Sequence, residues 1–260
     1  SDAGGAAGGT VALFADGAEW GKTAFYNGTT GLIAARGGDA DQDSDGQSGG
    51  GSGGRMRVPN CVAGDGMIKH DANGGAGWQK IPGMCQAGGA GTILYDNCEG
   101  NTPSIYIAGS APSSSTGGKG SSACTMLRHD DGQLPRFQID QVQVTMAAQL
   151  CLGQGTTANL TIRKTLELTG DAEVVLGYTQ KLIVPTLRLS SASISSSELS
   201  EQSSTSLSVE TLSVDTLSSI SGISVANVSD RAMIEGRIIS PFPLELNVGF
   251  GDPKSSELLV

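Results

Sequence analysis

The sequence has few of the residues that usually build a large globular core or an enzyme site. Aromatic residues make up 4% of its 260 positions, charged residues make up 16%, and there are two histidines. No apolar run approaches the roughly 20 residues that a membrane-spanning helix requires. We therefore expect a soluble chain with a small apolar core and no membrane span.

Basic residues are scarce as well. The chain has 16 Lys and Arg against 26 Asp and Glu, which gives a formal net charge of −10. Binding to a phosphate backbone depends on Lys and Arg that displace counterions, and no basic cluster is present. Nucleic acid is therefore excluded as an expected partner.

Motifs for catalysis are missing too. The chain has no nucleophile elbow, zinc-protease helix or phosphate-binding loop. The histidines, His70 and His129, stand apart from any metal-ligand pattern, and no Cys-x-x-Cys pair occurs. We predict a protein that is not an enzyme. A polysaccharide-cleaving β-helix is a distant alternative, because paired carboxylates meet in space rather than in sequence.

Glycine and cysteine divide the chain into two parts. Of the 39 glycines, 31 lie in residues 1–151, and all five cysteines lie there too. This shift in composition predicts a Gly-rich, Cys-containing β/loop domain at 1–155. It also predicts a Ser/Leu/Val-rich β domain at 156–260, with pentad-like repeats at 205–219.

The repeat TSLSVETLSVDTLSS at 205–219 is the strongest pattern in the chain. It places Leu207, Leu212 and Leu217 in one column and Val209 and Val214 in another. Apolar residues at every second position followed by a gap of three favour short strands and tight turns over a helix. We expect these five residues to face another chain or sheet during assembly. A Ser-rich stalk with an accidental rhythm is the alternative.

The predicted fold class is mainly β, with short strands in a sandwich or solenoid-like shaft plus a Gly-rich, loop-dominated, disulfide-bearing part. The run GQSGGGSGG at 46–54 would be a flexible linker in isolation. Neighbouring subunits, bound ions or disulfides are the candidates for holding it still. These candidates favour a polymer or a tight oligomer.

The cysteines favour an oxidising compartment. Disulfides constrain the unfolded state of a loop-rich segment and offset a thin core. We expect two bridges and one remaining thiol, which is either buried or bridges subunits; the sequence does not assign the pairs. The candidates are Cys61, Cys85, Cys98, Cys124 and Cys151.

An acidic run, DADQDSDG at 39–46, resembles the opening of a calcium loop. Alternate carboxylates can converge on one hard cation, and the glycine permits a sharp turn. We therefore predict a calcium site whose ligands are Asp39, Asp41, Asp43 and Asp45. An acidic, solvated loop is the alternative.

Three Asn-x-Ser/Thr tripeptides begin at Asn27, Asn159 and Asn227. They would be glycosylation sites in a eukaryotic secreted protein, although such tripeptides also arise by chance in Ser/Thr-rich chains.

These observations predict a secreted, non-enzymatic structural subunit of an extracellular filament or appendage. Its expected partners are copies of itself. The rival prediction is a trimeric adhesin or viral tail-fibre protein whose Gly-rich part binds a cell-surface glycan or protein, with isolated aromatic residues as contacts.

Overall fold

The structure, a computed structural model, consists of strands and irregular segments and contains no helix in the residues that it describes. This confirms the mainly β class. The described residues are 5–12, 31–40, 49–59, 68–77, 88–96, 104–109, 124–127, 139–152, 159–176, 181–196, 205–239, 245–249 and 257–259. The chain divides into two compact units, which are residues 1–125 with 146–148 (unit 1) and residues 126–145 with 149–260 (unit 2).

Unit 1 contains short strands. They are β1 (Thr10–Ala12), β2 (Gly31–Ala34), β3 (Arg55–Pro59), β4 (Ile68–Asp71), β5 (Gly91–Asp96) and β6 (Ser104–Ala108), and the division between the units falls within β7 (Cys124–Leu127). β1, β3 and β5 pair in parallel, as do β2 and β4, whereas β6 pairs with β5 in the antiparallel direction.

Glycine-rich segments adjoin these strands and form a second kind of structure, which we call the glycine bundle. It comprises residues 5–9, 35–40, 49–54, 72–77 and 88–90. The central segment, 49–54, is bonded to all four others. The bonds run from Gly5 N to Gly49 O (2.8 Å), Gly51 N to Gly38 O (2.9 Å), Gly75 N to Gly51 O (2.8 Å) and Gly53 N to Gly89 O (2.8 Å).

A β-strand has bonding neighbours on two sides only, so bonds to four neighbours need backbone groups that point in more directions. A three-residue-per-turn extended helix of the polyproline type provides them. The segments also approach too closely for side chains. A Cβ on Gly51 would lie 1.9 Å from the oxygen of Ala6, and one on Gly54 would lie 2.0 Å from the oxygen of Gly9.

The glycine bundle corrects one expectation from the sequence. We expected subunits, ions or disulfides to hold the run 46–54. In the structure, other segments of the same chain bond to residues 49–54, while residues 46–48 lie outside the described part. In unit 1, backbone hydrogen bonds therefore hold together segments that apolar side chains would hold together in an ordinary core. Its apolar cluster is small and comprises Ala35, Met56, Val58, Ala72 and Ile93.

Unit 2 is built from two parallel sheets that the chain visits in alternation. The long sheet contains β8 (Ile139–Thr145), β10 (Asn159–Thr169), β12 (Lys181–Ser190), β14 (Thr205–Val214), β16 (Ile223–Ile234), β18 (Glu245–Val248) and β19 (Glu257–Leu259); the short sheet contains β9 (Gln149–Leu152), β11 (Glu173–Leu176), β13 (Ser193–Ser196), β15 (Ser219–Ser221) and β17 (Arg237–Ile239). We call a long-sheet strand and the short-sheet strand that follows it a rung. Successive rungs stack in parallel, as in a solenoid.

Apolar columns run through the stack and form its core. In the long sheet Leu166, Leu187, Leu212 and Ala232 occupy equivalent positions in successive rungs and are fully buried. In the short sheet the equivalent column is Val174, Ile194 and Ile220. Because each column position is filled in every rung, adjacent rungs cover one another and the core is continuous.

The five-residue rhythm has a local cause. In β14 the two successive residues Glu210 and Thr211 are not buried, and β12 has the same step at Pro185 and Thr186, where the two strands pair without a register shift. This shared step delays the alternation of apolar and polar residues by one position, while the extra residue of the pairing with β16 lies in β16. Leu207, Val209, Leu212 and Val214 therefore all point inward although their spacing is uneven. With 10–12 residues each, β10, β12, β14 and β16 are also longer than the short strands that the repeat favoured.

Membrane-spanning segments have a simple signature in helical proteins, namely a long apolar helix. The part of the chain that the structure describes contains none.

Candidate assembly surface

The residues predicted to mediate assembly have two different environments. Leu207, Val209, Leu212 and Val214 are buried in the core of unit 2, with exposed fractions of 0–3%. An assembly role for these four residues is therefore wrong, because their side chains are already covered by their own chain. Leu217 is different: it lies in the turn between β14 and β15 and is 77% exposed.

A better candidate surface lies where the stack of rungs ends. β17 is the last strand of the short sheet and β18 is the last strand of the long sheet, while β19 pairs only with β16. Within the described residues, none of the three has a strand on its other side. We call this edge, made of β17, β18 and β19, the terminal surface.

Positions of the apolar columns on the terminal surface are only partly covered. Ile238 continues the column of Ile220, and Leu246 and Val248 continue the columns of Ala226 and Val228. The three residues of the preceding rungs are buried, whereas Ile238, Leu246 and Val248 are half-buried. Within the described residues, the core of unit 2 is therefore less completely covered at this end.

Exposed apolar side chains are concentrated in the same region. In the described residues of unit 2, the large apolar side chains that are exposed are Leu217, Met233 and Ile239, all in the last two rungs. Ile239 belongs to β17 itself and is 55% exposed. Among residues 161–176 and 181–196, whose burial the structure describes, there is no such residue. The sequence alone did not single out Ile239, because an isoleucine in a strand is ordinarily a core residue.

The carboxylate of Asp215 joins the turn that follows β14 to the turn of the preceding rung. The carboxylate of Asp215 accepts hydrogen bonds from the hydroxyls of Ser218 and Ser190 and from the backbone N–H groups of Ser191 and Leu217. The bond from Ser218, with these others, lowers the pKa of Asp215 below its ordinary value although burial opposes the shift. This aspartate is thus bound to the turn of the preceding rung and has a structural role.

One predicted group of residues, the cysteines, is partly described. Cys124 and Cys151 form a disulfide. Cys61, Cys85 and Cys98 lie outside the described residues. The prediction of two bridges and one free thiol therefore stays open for these three.

The predicted calcium ligands are described only at Asp39. Its carboxylate forms an ion pair with Arg36 at 3.0 Å and accepts a hydrogen bond from the backbone N–H of Ala76 at 2.8 Å. Asp41, Asp43 and Asp45 lie outside the described residues. Among the residues that are described, no three His, Cys, Asp or Glu side chains form a cluster suited to a metal ion.

The three predicted glycosylation sites have different positions. Asn27 lies outside the described residues, and Asn159 is the first residue of β10. Asn227 lies in β16 and is half-buried, and its Oδ1 accepts a hydrogen bond from Nδ2 of Asn247 at 3.1 Å. The amide of Asn227 thus contributes to the ladder between β16 and β18.

A histidine and a tyrosine meet beside the apolar cluster of unit 1. The Tyr95 hydroxyl lies 3.3 Å from Nδ1 of His70, and the two rings pack edge to face. Burial lowers the pKa of His70 and, together with the nearby Tyr106, raises the pKa of Tyr95. Both shifts favour the neutral forms, as expected of a packing pair.

No family model matches the sequence, and neither a curated protein nor a solved structure matches the chain.

Proposed function

We propose that this chain is a secreted, non-enzymatic structural subunit of an extracellular filament or appendage that assembles with copies of itself through β-rich contacts. One observation carries the proposal: the stacked rungs of unit 2 end in a surface whose apolar columns are only half covered. Stacked repeats usually need a polar terminal repeat to stay soluble by themselves, and this stack ends in Ile238, Leu246 and Val248.

The covalent chemistry supports an extracellular location. Disulfides such as Cys124–Cys151 persist mainly in oxidising compartments. A location outside the cell or on its surface agrees with such a bond and with the proposed self-assembly.

A receptor-binding adhesin or tail-fibre protein, in the form of a trimer, is the second candidate. The observation that favours it is the ordered backbone of unit 1, in which β1 and β2 flank residues 13–30 and segments of the glycine bundle flank residues 78–87. These two stretches of sequence carry Trp20, Phe25, Tyr26 and Trp78. Aromatic side chains on a rigid scaffold are suited to stacking on a sugar or filling a cleft in a partner protein.

Electron microscopy of the natively purified chain distinguishes the two candidates. A filament subunit gives long polymers of repeating particles, and an adhesin gives discrete trimers. Monomeric particles at every protein concentration would contradict both. A polysaccharide-cleaving activity, measured as reducing ends released from a panel of polysaccharides, would contradict the non-enzymatic assignment.

Calcium at Asp39, Asp41, Asp43 and Asp45 is part of the proposal as a stiffening ion. Closely spaced carboxylates repel one another unless a cation lies between them. Chelation should therefore lower the melting temperature of the wild-type chain, and a chain in which Asp41 and Asp43 are both Asn should show no such response. An equal melting temperature with and without chelator in the wild type rejects the calcium site.

A further inference from the structure

The last rung of unit 2 has backbone groups that are not used inside the stack. Arg237 donates its N–H to the oxygen of Ser218, and the oxygen of Ile239 accepts the N–H of Gly222, so both point toward β15. Successive residues of a strand direct their backbone groups to opposite sides, so those of Ile238 point to the open edge. An unpaired edge of this kind is a template for another strand.

The apolar side chains at the same edge are also incompletely covered. Ile238, Leu246 and Val248 continue columns that are buried in the preceding rungs, but they are themselves half-buried. Within the stack, such a position is covered by the equivalent position of the next rung, 4.7–4.9 Å away in ordinary sheets. The occupant that fits is therefore another rung of this kind, and not a helix or a small ligand.

Charge opposes contact between two identical ends only weakly. The whole chain carries −10. The described parts of 223–259 contain Arg231 and Arg237 against Asp230, Glu235, Glu245 and Glu257, which is two positive against four negative charges and a local net charge of −2. Two copies can approach there with little of the repulsion that the remaining charge of the chain would cause.

We propose that the terminal surface of one chain docks on the terminal surface of a second copy, so that β17, β18 and β19 gain strand neighbours on the side where the described residues provide none. The proposal rests on the proposed self-assembly and assigns its contact surface. A surface that meets its own copy gives an isologous pair, and this pair is then the repeating unit of any longer polymer. Ile238 lies within this contact, whereas the side chain of Ile239 is on the opposite face of β17.

Sedimentation of Ile238 variants tests the proposal. Ile238→Lys and Ile238→Glu place a charge of either sign on a half-buried side chain that continues the column of Ile220 at the open edge. Because a charge that becomes buried without a partner is unfavourable, each variant should weaken self-association by about tenfold or more. The matched control is Ile239→Lys, which places the same charge on the 55% exposed opposite face of the same strand, and it should associate like the wild type.

The results separate this proposal from the proposed function. A wild-type chain that remains at 26.3 kDa at all concentrations contradicts both. A wild-type chain that associates while both Ile238 variants associate equally well overturns the terminal surface and leaves self-assembly standing. If Ile239→Lys alone dissociates the assembly, the contact lies on the outer face of the short sheet, which also overturns the proposal. Melting curves of all variants confirm that each is folded.

Discussion

Replacing Gly51 with alanine tests whether the glycine bundle is a backbone-packed core. The new Cβ would lie 1.9 Å from the oxygen of Ala6, whereas ordinary contact begins at 3.4 Å, so the two segments must separate by about 1.5 Å. The same oxygen accepts the N–H of Gly38 at 2.7 Å, and a displacement of that size breaks the bond.

Overpacking contributes about 1–3 kcal/mol and a buried group left without its bond contributes about 1–3 kcal/mol. The expected loss in the free energy of unfolding of unit 1 is therefore about 2–6 kcal/mol for Gly51→Ala.

The control is Gly9→Ala, because no atom lies within 4 Å of a Cβ built on Gly9. This variant should be neutral or slightly more stable, by about 0.4–1 kcal/mol, since alanine restricts the unfolded chain. Urea unfolding followed by tryptophan fluorescence is the assay, because Trp20 and Trp78 both belong to the sequence of unit 1. Equal midpoints for Gly51→Ala and Gly9→Ala would refute close backbone packing.

Three further perturbations test the stack and the disulfide. Leu212→Ala should lower the free energy of unfolding by about 2–5 kcal/mol because Leu212 is fully buried, whereas Leu217→Ala should change it by less than about 0.5 kcal/mol, as measured by urea unfolding. The folded pKa of Asp215 is lowered, so its stabilising contribution is present above the unfolded pKa of about 3.9 and is lost as pH falls through the folded value. Asp215→Asn should therefore lose less stability than the wild type between about pH 5 and pH 2, and equal slopes would contradict the turn's dependence on the carboxylate. Cys124→Ser should reduce the free energy of unfolding by about 2–4 kcal/mol, and the loss should match that of Cys151→Ser, because either variant removes the same bond.

The class of fold follows from the sequence because period-two alternation and β-branched residues favour strands in any context. The inward direction of Leu207 and Leu212 does not follow so directly. Their spacing of five residues breaks a strict alternation, and only the step at Glu210 and Thr211, where two successive residues are not buried, reconciles the two positions with one face. β12 has the same step in register, and a single sequence does not identify β12 as the neighbouring strand.

The role of glycine was harder still to predict. A run such as GGGSGG has the composition of a flexible linker. The local propensities of its residues do not include hydrogen bonds to four segments that are distant in the sequence. The order of residues 49–54 arises from segments that begin as far away as Gly5 and Gly88 in the sequence. Low aromatic and apolar content therefore indicated a thin core correctly without revealing that backbone groups take its place.

The candidate surface was missed for a related reason. Ile238, Leu246 and Val248 look in the sequence like any other core residues of a strand. Only the strand order shows that the stack ends at these residues and leaves them half covered. Sequence periodicity identifies members of a column, but the position of the last member emerges from the three-dimensional pairing.

Amide hydrogen exchange at two protein concentrations tests most directly the claim that the rungs of one chain continue into those of another. The account predicts that exchange in 237–239 and 245–248 slows as the concentration rises, with the amide of Ile238 among those protected, while exchange in 205–214 does not change. Unchanged exchange in 237–239 and 245–248, in samples whose mass has risen above 26.3 kDa, would contradict it.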